Sequence, residues 1–337
     1  MLAERLRELI RARGPIAFRD WMEAALYDSE FGYYTRIDRK RWGREGDYRT
    51  SAERSELFAA TFARYFARLY DELGTPSQWT ILEGGSGDGT FARRVQHALK
   101  EDYPRVFEVT HYLTSEILNV EETIHSLNPC LYFSNELLDA FPVHRVVSEG
   151  ELYVTLDSGQ NFIWSVGPYS TPRLNQFLEE HSIKLIPGQT IEINLAIDDW
   201  LSSVVAKIKR GYVVTVDYGA EAADLYDPSL RPDGTLRAFS RHGFVANVLS
   251  APGEYDITSS VNWTQVKATG ERLGLRVVEF DSQDRFLRNA GLLDVLERRL
   301  RRMEKASDQL RLTTDAREMI LPGGMGSSFQ VLVLKRG

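Results

Sequence analysis

The stretch TILEGGSGDGTFARRV (residues 80–95) constrains the fold of this 337-residue chain more than any other segment. A short apolar run leads into a glycine-rich turn, and a helical pattern follows. A strand, a tight loop and a helix N-terminus in this order are typical of a nucleotide-binding crossover. Glycine in such a loop permits positive φ and lets a ligand approach the backbone closely. The predicted cofactor contacts in this segment are Glu83, Gly84, Gly85, Ser86, Gly87, Gly89 and Thr90.

The spacing of the glycines separates the candidate ligands. A dinucleotide site has the pattern G-x-G-x-x-G, whose third glycine would fall at Thr90, whereas E-x-G-x-G-x-G fits from Glu83 without a gap. The spacing therefore favours S-adenosylmethionine (SAM), which has no pyrophosphate. A hydrolase elbow centred on Ser86 would need glycine at Asp88, and no Lys-Ser/Thr pair follows to form a phosphate loop. A glycine-rich turn without a ligand is the remaining alternative.

Composition and charge exclude several other classes. A formal charge of -7 and a pI near 5.5 argue against a nucleic-acid-binding protein, and the basic run from Glu297 to Lys305 is interpreted as a solvated helix face. No apolar run approaches the ~20 residues that cross a bilayer, so we expect a soluble protein without a membrane partner. The single cysteine, Cys130, predicts a reducing, cytoplasmic compartment. The scattered histidines predict no metal site, and the oligomeric state, including a homodimer, is left open.

Alternating patterns along the chain predict an α/β protein. Short apolar strands alternate with helices after Gly74, which predicts a Rossmann-like, doubly wound, mostly parallel sheet. Alternating runs between Val143 and Asn194 predict an inserted antiparallel β region. The predicted organisation is an N-terminal helical region (1–76), a SAM-binding core (77–142, 195–219 and 271–337), a β-rich insertion (143–194) and an acceptor-side insertion (220–270).

Acidic and amide side chains end several of the predicted strands. Glu83 ends the first strand, Glu116 the second, Asn135 and Glu136 the third, and Asp217 a later one. Ligands of open α/β sheets bind beyond the carboxyl ends of the strands, so these residues are candidates for the site. A carboxylate accepts hydrogen bonds from ribose hydroxyls, and this role is assigned to Glu116. A solvated strand end or a helix cap remains the alternative for each carboxylate taken singly.

A set of motifs resembles one known family over nearly the whole chain. The motifs include ILEGGSGDGT, SNELLDAFPVHR, VDYG, GTLRAFSRH and PGEYDITSSVNW, preceded by GPIAFRDWMEAALYDSEFGYY and GDYRTSAERSELF. In this order they resemble the MidA-like SAM-dependent methyltransferases, which include a mitochondrial arginine methyltransferase that assists assembly of respiratory complex I. The resemblance implies a class I methyltransferase fold and SAM as methyl donor, and it leaves the acceptor open. It also implies that Glu116 and Ile117 contact the cofactor. The segment with Asp47 and Thr50 is expected near SAM by the same resemblance, with an ordinary surface loop as the alternative.

The chain departs from the family pattern at several places. The segment between Leu127 and Leu131 is shorter than the corresponding segment of the relatives, which commonly helps to enclose the adenine. EILN replaces E-x-S-P from Glu116, Asn262 replaces an aspartate, and MGSSFQ replaces M-G-x-x-F-K from Met325. These differences leave open a diverged acceptor or weakened catalysis.

The chemistry of methyl transfer needs few protein groups, because SAM already carries an activated leaving group. The enzyme must align the nucleophile with the methyl group and remove a proton. Glu136 and Asp139, three residues apart, are predicted to share one face at the start of a helix, with Asn135 beside them. Their carboxylates suit the planar donors of a guanidinium. Stabilisation of a helix N-terminus is the alternative role.

Three further residues are predicted to contact the acceptor: Asp217, Asp256 and Thr258. Asp217 could instead turn the chain, and His144 and His242 are interpreted as structural or acceptor-side residues. The leading hypothesis is a SAM-dependent methyltransferase that acts on a protein side chain, with arginine as the acceptor by resemblance. The alternatives are methylation of a small molecule or peptide natural product, and a non-catalytic, methyltransferase-like assembly factor.

Overall fold

The computed structural model describes residues 1–36, 55–115, 129–240, 243–321 and 325–337. Asp47, Thr50, Glu116, Ile117 and His242 lie outside the described residues. The helices of the described ranges are α1 (Leu2–Arg13), α2 (Phe18–Tyr27), α3 (Glu56–Glu72), α4 (Thr90–Asp102), α5 (Pro104–Val109), α6 (Pro172–Glu180), α7 (Ala196–Lys207), α8 (Ala222–Leu225), α9 (Trp263–Arg272), α10 (Gln283–Asn289), α11 (Leu292–Arg302) and α12 (Ala306–Ile320). The strands are β1 (Ile16–Ala17), β2 (Trp79–Gly84), β3 (Thr110–Ser115), β4 (Cys130–Asn135), β5 (His144–Val147), β6 (Gly150–Leu156), β7 (Phe162–Gly167), β8 (Thr190–Ile193), β9 (Gly211–Ala220), β10 (Arg237–Ser240), β11 (Gly243–Phe244), β12 (Asp256–Thr258), β13 (Val261–Asn262), β14 (Arg276–Ser282) and β15 (Phe329–Arg336).

The chain divides into two compact units, each made of several segments. The first unit comprises Met1–Tyr48, Leu138–Asp199 and Ala220–Val266, and the second comprises Arg49–Leu137, Trp200–Gly219 and Lys267–Gly337. The predicted N-terminal helical region, 1–76, is therefore divided between the units, because α3 belongs to the second. The predicted insertions, 143–194 and 220–270, fall mainly in the first.

The second unit contains a mostly parallel sheet with the strand order β14-β15-β9-β4-β2-β3. The strands β3, β2, β4 and β9 run parallel, and β15 is antiparallel to both of its neighbours. In this register Glu83 lies beside Phe133, and Asn135 beside Val216. The glycine loop after β2 and the turn after β4 therefore emerge from adjacent strands, as the α/β pattern of the sequence predicts.

An aromatic cluster fixes α3 and α4 in the second unit. Phe62 of α3 packs against Phe91 and Phe133, and the rings of Phe91 and Phe133 stack with centroids 4.6 Å apart. Helix α3 begins after Ser55, whose side chain accepts a hydrogen bond from the Leu57 amide. Since α3 is apolar around much of its circumference, it is stable only when it is buried in a core.

Antiparallel strands form the first unit, as predicted for residues 143–194. The strand order is β1-β6-β5-β8, with β7 also paired to β6, and β10 pairs with β11 and β12 in a separate sheet. Strand β1 adds an element that the sequence pattern did not indicate, since Ile16 pairs with Val154. The apolar faces of α1 and α2 pack with Val154 and Phe162 in one core. No helix in the described ranges is long and apolar enough to span a membrane.

Candidate functional site

The glycine loop connects the buried strand β2 to helix α4. Gly85, Gly87 and Gly89 have φ of 67°, 55° and 71°. These angles belong to the left-handed region, where side chains with a Cβ atom are strained. The carboxylate of Asp88 accepts a hydrogen bond from the Thr90 amide at 2.8 Å and so helps to define the start of α4. The loop thus presents backbone at a helix N-terminus, as predicted.

Two glycines of the loop have packing roles besides any contact with a cofactor. A Cβ atom on Gly84 would collide with the hydroxyl of Tyr132, and one on Gly85 would lie 3.0 Å from Leu137 Cδ1. The Gly85 amide donates a hydrogen bond to the Ser115 carbonyl at 2.8 Å. Gly84 and Gly85 are therefore required by the approach of β3, β4 and the turn after β4, which the sequence alone did not show.

Glu83 lies at the end of β2 with 5% of its surface exposed. Its Oε2 atom accepts a hydrogen bond from the Tyr112 hydroxyl at 2.8 Å. Burial, and then the negative charge and hydrogen bond of Glu83, raise the pKa of Tyr112 well above its ordinary value. Tyr112 therefore stays protonated and holds the Glu83 carboxylate in place beside the glycine loop.

The turn after β4 differs from the prediction. Glu136 has a φ of 53°, and only the three-residue 3-10 helix Leu138–Ala140 follows. Glu136 and Asp139 therefore do not lie on one face of an α-helix, and that prediction was wrong. A left-handed glutamate is uncommon, and such backbone conformations cluster at functional sites. Here the Glu136 amide donates to the Val216 carbonyl at 2.9 Å, and Asn135 Nδ2 donates to Glu136 Oε1 at 3.1 Å.

Asp217 is completely buried within β9, which continues to Ala220. Its two carboxylate oxygens accept hydrogen bonds from the backbone amides of Leu137 (3.1 Å) and Tyr218 (2.9 Å). Strand β9 continues to Ala220, so the chain does not turn at Asp217, and the acceptor contact predicted for this residue remains a prediction. Asp217 positions the turn that carries Asn135 and Glu136, and the contact roles predicted for those residues remain predictions.

The first unit brings Asp139, Asp256 and Thr258 together. The Ser259 amide, next to Thr258, donates to the Asp139 carbonyl at 2.9 Å. Two tyrosines that sequence reasoning missed belong to the same region: the Tyr34 hydroxyl donates to Asp256 Oδ1 at 2.5 Å, and the Tyr27 hydroxyl donates to the Ala140 carbonyl at 2.9 Å. Their only signal was the motif ALYDSEFGYY, whose tyrosines are equally typical of a core.

The charges around Tyr27 confirm that the two aspartates lie near the same ring. Burial raises the pKa of Tyr27 most, and the carboxylates of Asp139, Asp256 and Glu23 raise it further. The phenol is therefore a neutral hydrogen-bond donor at physiological pH. The first unit thus contains two buried carboxylates beside aromatic rings.

Two departures from the family motifs have structural explanations. Asn262 Oδ1 accepts the Gln265 amide at 3.2 Å, at the first turn of α9, and its Nδ2 donates to the Tyr226 hydroxyl at 3.2 Å. Gln330, in place of the lysine, accepts the Gly219 amide at 3.0 Å through Oε1. Both residues stabilise local backbone, so neither change by itself indicates an altered reaction.

The described residues contain no metal cluster, and His144 has a structural partner. In the described ranges no group of three His, Cys, Asp or Glu residues could hold a metal ion. His144 is buried with Nδ1 2.7 Å from Glu151 Oε1, which is a structural arrangement. The loop residues fit SAM: the left-handed glycines present backbone at the N-terminus of α4, and Glu83 places a carboxylate at the strand end.

Comparisons with known proteins agree with the geometry. Residues 118–281 match the family described as "Putative S-adenosyl-L-methionine-dependent methyltransferase". A protein from Burkholderia thailandensis, whose crystal structure contains S-adenosyl-homocysteine, is 26% identical over 99% of this chain and 92% of its own, with a TM-score of 0.84. Curated relatives include "Protein arginine methyltransferase NDUFAF7 homolog, mitochondrial" of Drosophila melanogaster (25% identical, covering 81% of this chain and 70% of that protein) and the Rattus norvegicus NDUFAF7 protein (24%, 96% and 82%).

The mostly parallel sheet, the glycine loop and these matches define a class I SAM-dependent methyltransferase. SAM is its methyl donor. The resemblance to the MidA-like family of these enzymes, which the motifs of the chain indicated, is confirmed.

Proposed function

We propose that this methyltransferase modifies the side chain of an arginine in a protein. The observation that carries the proposal is the relatedness of nearly the whole chain to proteins named as protein arginine methyltransferases. Each unit carries carboxylates with the negative charge that suits a cationic side chain: Glu136 in the second unit, and Asp139 and Asp256 in the first.

The residues of the chain have distinct roles in this reaction. SAM, when bound, supplies an activated methyl group. The glycine loop and Glu83 hold the cofactor, a role that extends to Glu116, Ile117, Asp47 and Thr50 outside the described residues. Glu136 orients the acceptor nitrogen and accepts its proton, and Asn135 orients the Glu136 carboxylate through their hydrogen bond.

Labelled SAM provides the direct test. The purified chain is incubated with SAM carrying a radioactive methyl group and a cell lysate, which is then separated into protein and small-molecule fractions. The protein fraction is hydrolysed and its methylated amino acids are identified. We expect label in methylarginine that is absent with the Glu136→Gln variant. Label found only in the small-molecule fraction would show that the acceptor is a small molecule and not a protein. Binding of SAM without incorporation of label into either fraction would indicate a non-catalytic assembly factor.

The compartment proposed for the chain is the cytoplasm. Cys130 is the single cysteine, it is buried, and burial raises the pKa of its thiol to about 12, so it stays an unreactive thiol. The named relatives are mitochondrial, so this proposal does not come from the resemblance. Fractionation of cells that express the chain would test it.

A further inference from the structure

Two tyrosines of the first unit form a stacked pair beside an aspartate. The rings of Tyr27 and Tyr34 have centroids 5.6 Å apart and an interplanar angle of 23°. Both hydroxyls are held, the first by the Ala140 carbonyl and the second by Asp256. Both residues are partly exposed. A held, partly exposed aromatic pair is a preorganised surface for a flat, cationic group.

Two buried carboxylates accompany the pair. Asp139 and Asp256 have 5% and 6% of their surfaces exposed, and both raise the pKa of Tyr27. A cation bound beside Tyr27 would therefore be attracted by both charges.

Thr258 provides an independent indication of a ligand. It has 5% of its surface exposed, and its Oγ1 atom has no hydrogen-bond partner in the described part of the chain. Side chains two residues apart on a strand point to the same face, so Thr258 and Asp256 share one face of β12. Buried hydroxyls are normally satisfied, and an unsatisfied one next to a charged cluster points to a group that binds there.

We propose that Tyr27, Tyr34, Asp139, Asp256 and Thr258, here called the Tyr–Asp cluster, recognise the guanidinium of the acceptor arginine. This inference rests on the proposed function and names the acceptor-binding residues. It differs from the prediction for Asp256 and Thr258 because it adds the tyrosine pair, and it assigns Asp139 to recognition of charge.

The chemistry of the cluster selects a guanidinium over an ammonium. A guanidinium is planar, stacks on aromatic rings and presents five N–H donors in a fixed fork. The Tyr–Asp cluster offers aromatic surface together with carboxylate and hydroxyl acceptors. An ammonium ion could use the carboxylates but would not stack, so arginine should be preferred to lysine.

Binding of small probes tests the cluster separately from catalysis. The full chain, saturated with S-adenosyl-homocysteine, is titrated with N-acetyl-arginine amide, N-acetyl-lysine amide and the neutral isostere N-acetyl-citrulline amide, and binding is followed by ligand-observed NMR. We expect the arginine probe to bind at least about tenfold more tightly than the citrulline probe, because charge-assisted hydrogen bonds are the stronger ones. Equal binding of the two probes would overturn the proposal.

Thr258→Val is the sharpest variant because its structural and ligand roles predict different results. Removal of a buried, unsatisfied hydroxyl should leave the melting temperature unchanged or raise it. If Oγ1 contacts the guanidinium, the variant should bind the arginine probe about threefold to tenfold more weakly.

Tyr34→Phe should weaken binding similarly. Tyr153→Phe is the matched control, because its exposed hydroxyl donates to the Pro168 carbonyl away from the cluster. Unchanged affinity in both cluster variants would overturn the proposal.

Failure of the cluster and failure of the proposed function give different results. If the wild-type chain methylates protein arginine and both variants keep the wild-type KM, the cluster is wrong and the function stands. If the wild-type chain labels no protein arginine but the arginine probe binds and Thr258→Val weakens it, the function is wrong and the cluster stands as a guanidinium site. If the wild-type chain labels no protein arginine and the arginine probe does not bind, both proposals are wrong.

Discussion

The buried carboxylate of Asp217 accepts the backbone amide of Leu137 at 3.1 Å. This hydrogen bond joins β9 to the turn after β4. The same turn is also held by the Glu136 amide, which donates to the Val216 carbonyl at 2.9 Å. The position of Glu136 is therefore determined by a neighbouring strand far away in sequence.

Replacement of Asp217 by alanine should destabilise the protein. The variant leaves the buried Leu137 amide without an acceptor, and an unsatisfied buried donor costs about 1–3 kcal/mol. The free energy of unfolding, measured by urea denaturation, should fall by this amount. Asp217→Asn retains one carbonyl acceptor and should lose less. Unchanged stability of Asp217→Ala together with a raised acceptor KM would instead favour the acceptor-binding role.

Glu136→Gln should separate cofactor binding from chemistry. If the carboxylate accepts a proton from the acceptor nitrogen, turnover should fall ~10²-fold or more while the Kd for SAM stays within a few fold. Steady-state kinetics and calorimetry measure the two quantities. An equal loss of both would show that Glu136 holds the cofactor or the local fold.

Glu136→Gly provides a matched test of the strained backbone. Glycine adopts a φ of 53° without steric cost, so this variant should be more stable to heat than the wild type while it is inactive. If the strain at Glu136 serves function, the glycine variant should gain stability and lose activity. A less stable glycine variant would show that the side chain of Glu136 contributes mainly to the fold.

Gly87→Val should abolish binding of SAM. Gly87 has a φ of 55°, which a β-branched residue adopts only with strain, so valine should distort the backbone of the proposed SAM loop. Gly274→Val is the control, because Gly274 has a φ of 82°, nothing lies within 4 Å of its added Cβ atom, and it is outside the loop. Both variants should lose stability, but only Gly87→Val should lose SAM affinity in calorimetry. Full affinity in a folded Gly87→Val protein would remove the basis of the cofactor site.

Glu151 should make the stability of the protein depend on acid pH. Burial alone would raise its pKa, but hydrogen bonds from His144 and Ser170 outweigh burial and lower the pKa from its ordinary value of 4.5. The folded state therefore favours the ionised carboxylate, and this contribution is present above pH 4.5 and is lost as the pH falls below that value. Glu151→Gln should lower the Tm above pH 4.5, and the difference from the wild type should shrink in more acidic buffer. A difference that grows below pH 4.5 would contradict the sign of the shift.

The local features of the site were predictable because they depend on neighbouring residues. The glycine spacing after β2 and the start of α4 at Thr90 follow from backbone conformations that short patterns encode. The helical pattern after Asn135 misled, because residues 136–140 contain no glycine or proline to signal a left-handed Glu136. The turn at Glu136 is held by hydrogen bonds to Val216 and Asp217, which are about 80 positions away in the sequence.

By itself, the sequence determined the class of the protein: a glycine-rich crossover, alternating strands and helices, and family motifs that together identify a SAM-dependent methyltransferase. The tertiary structure alone decided which polar residues bind main-chain amides and which polar residues lie close together. Asp217, Asn262 and Gln330 proved to satisfy main-chain amides, whereas Tyr27 and Tyr34 joined Asp139, Asp256 and Thr258. The physical reason is that a side chain's role depends on its partners, and contacts between residues more than 200 positions apart, such as Tyr34 and Asp256, form only when the chain has folded.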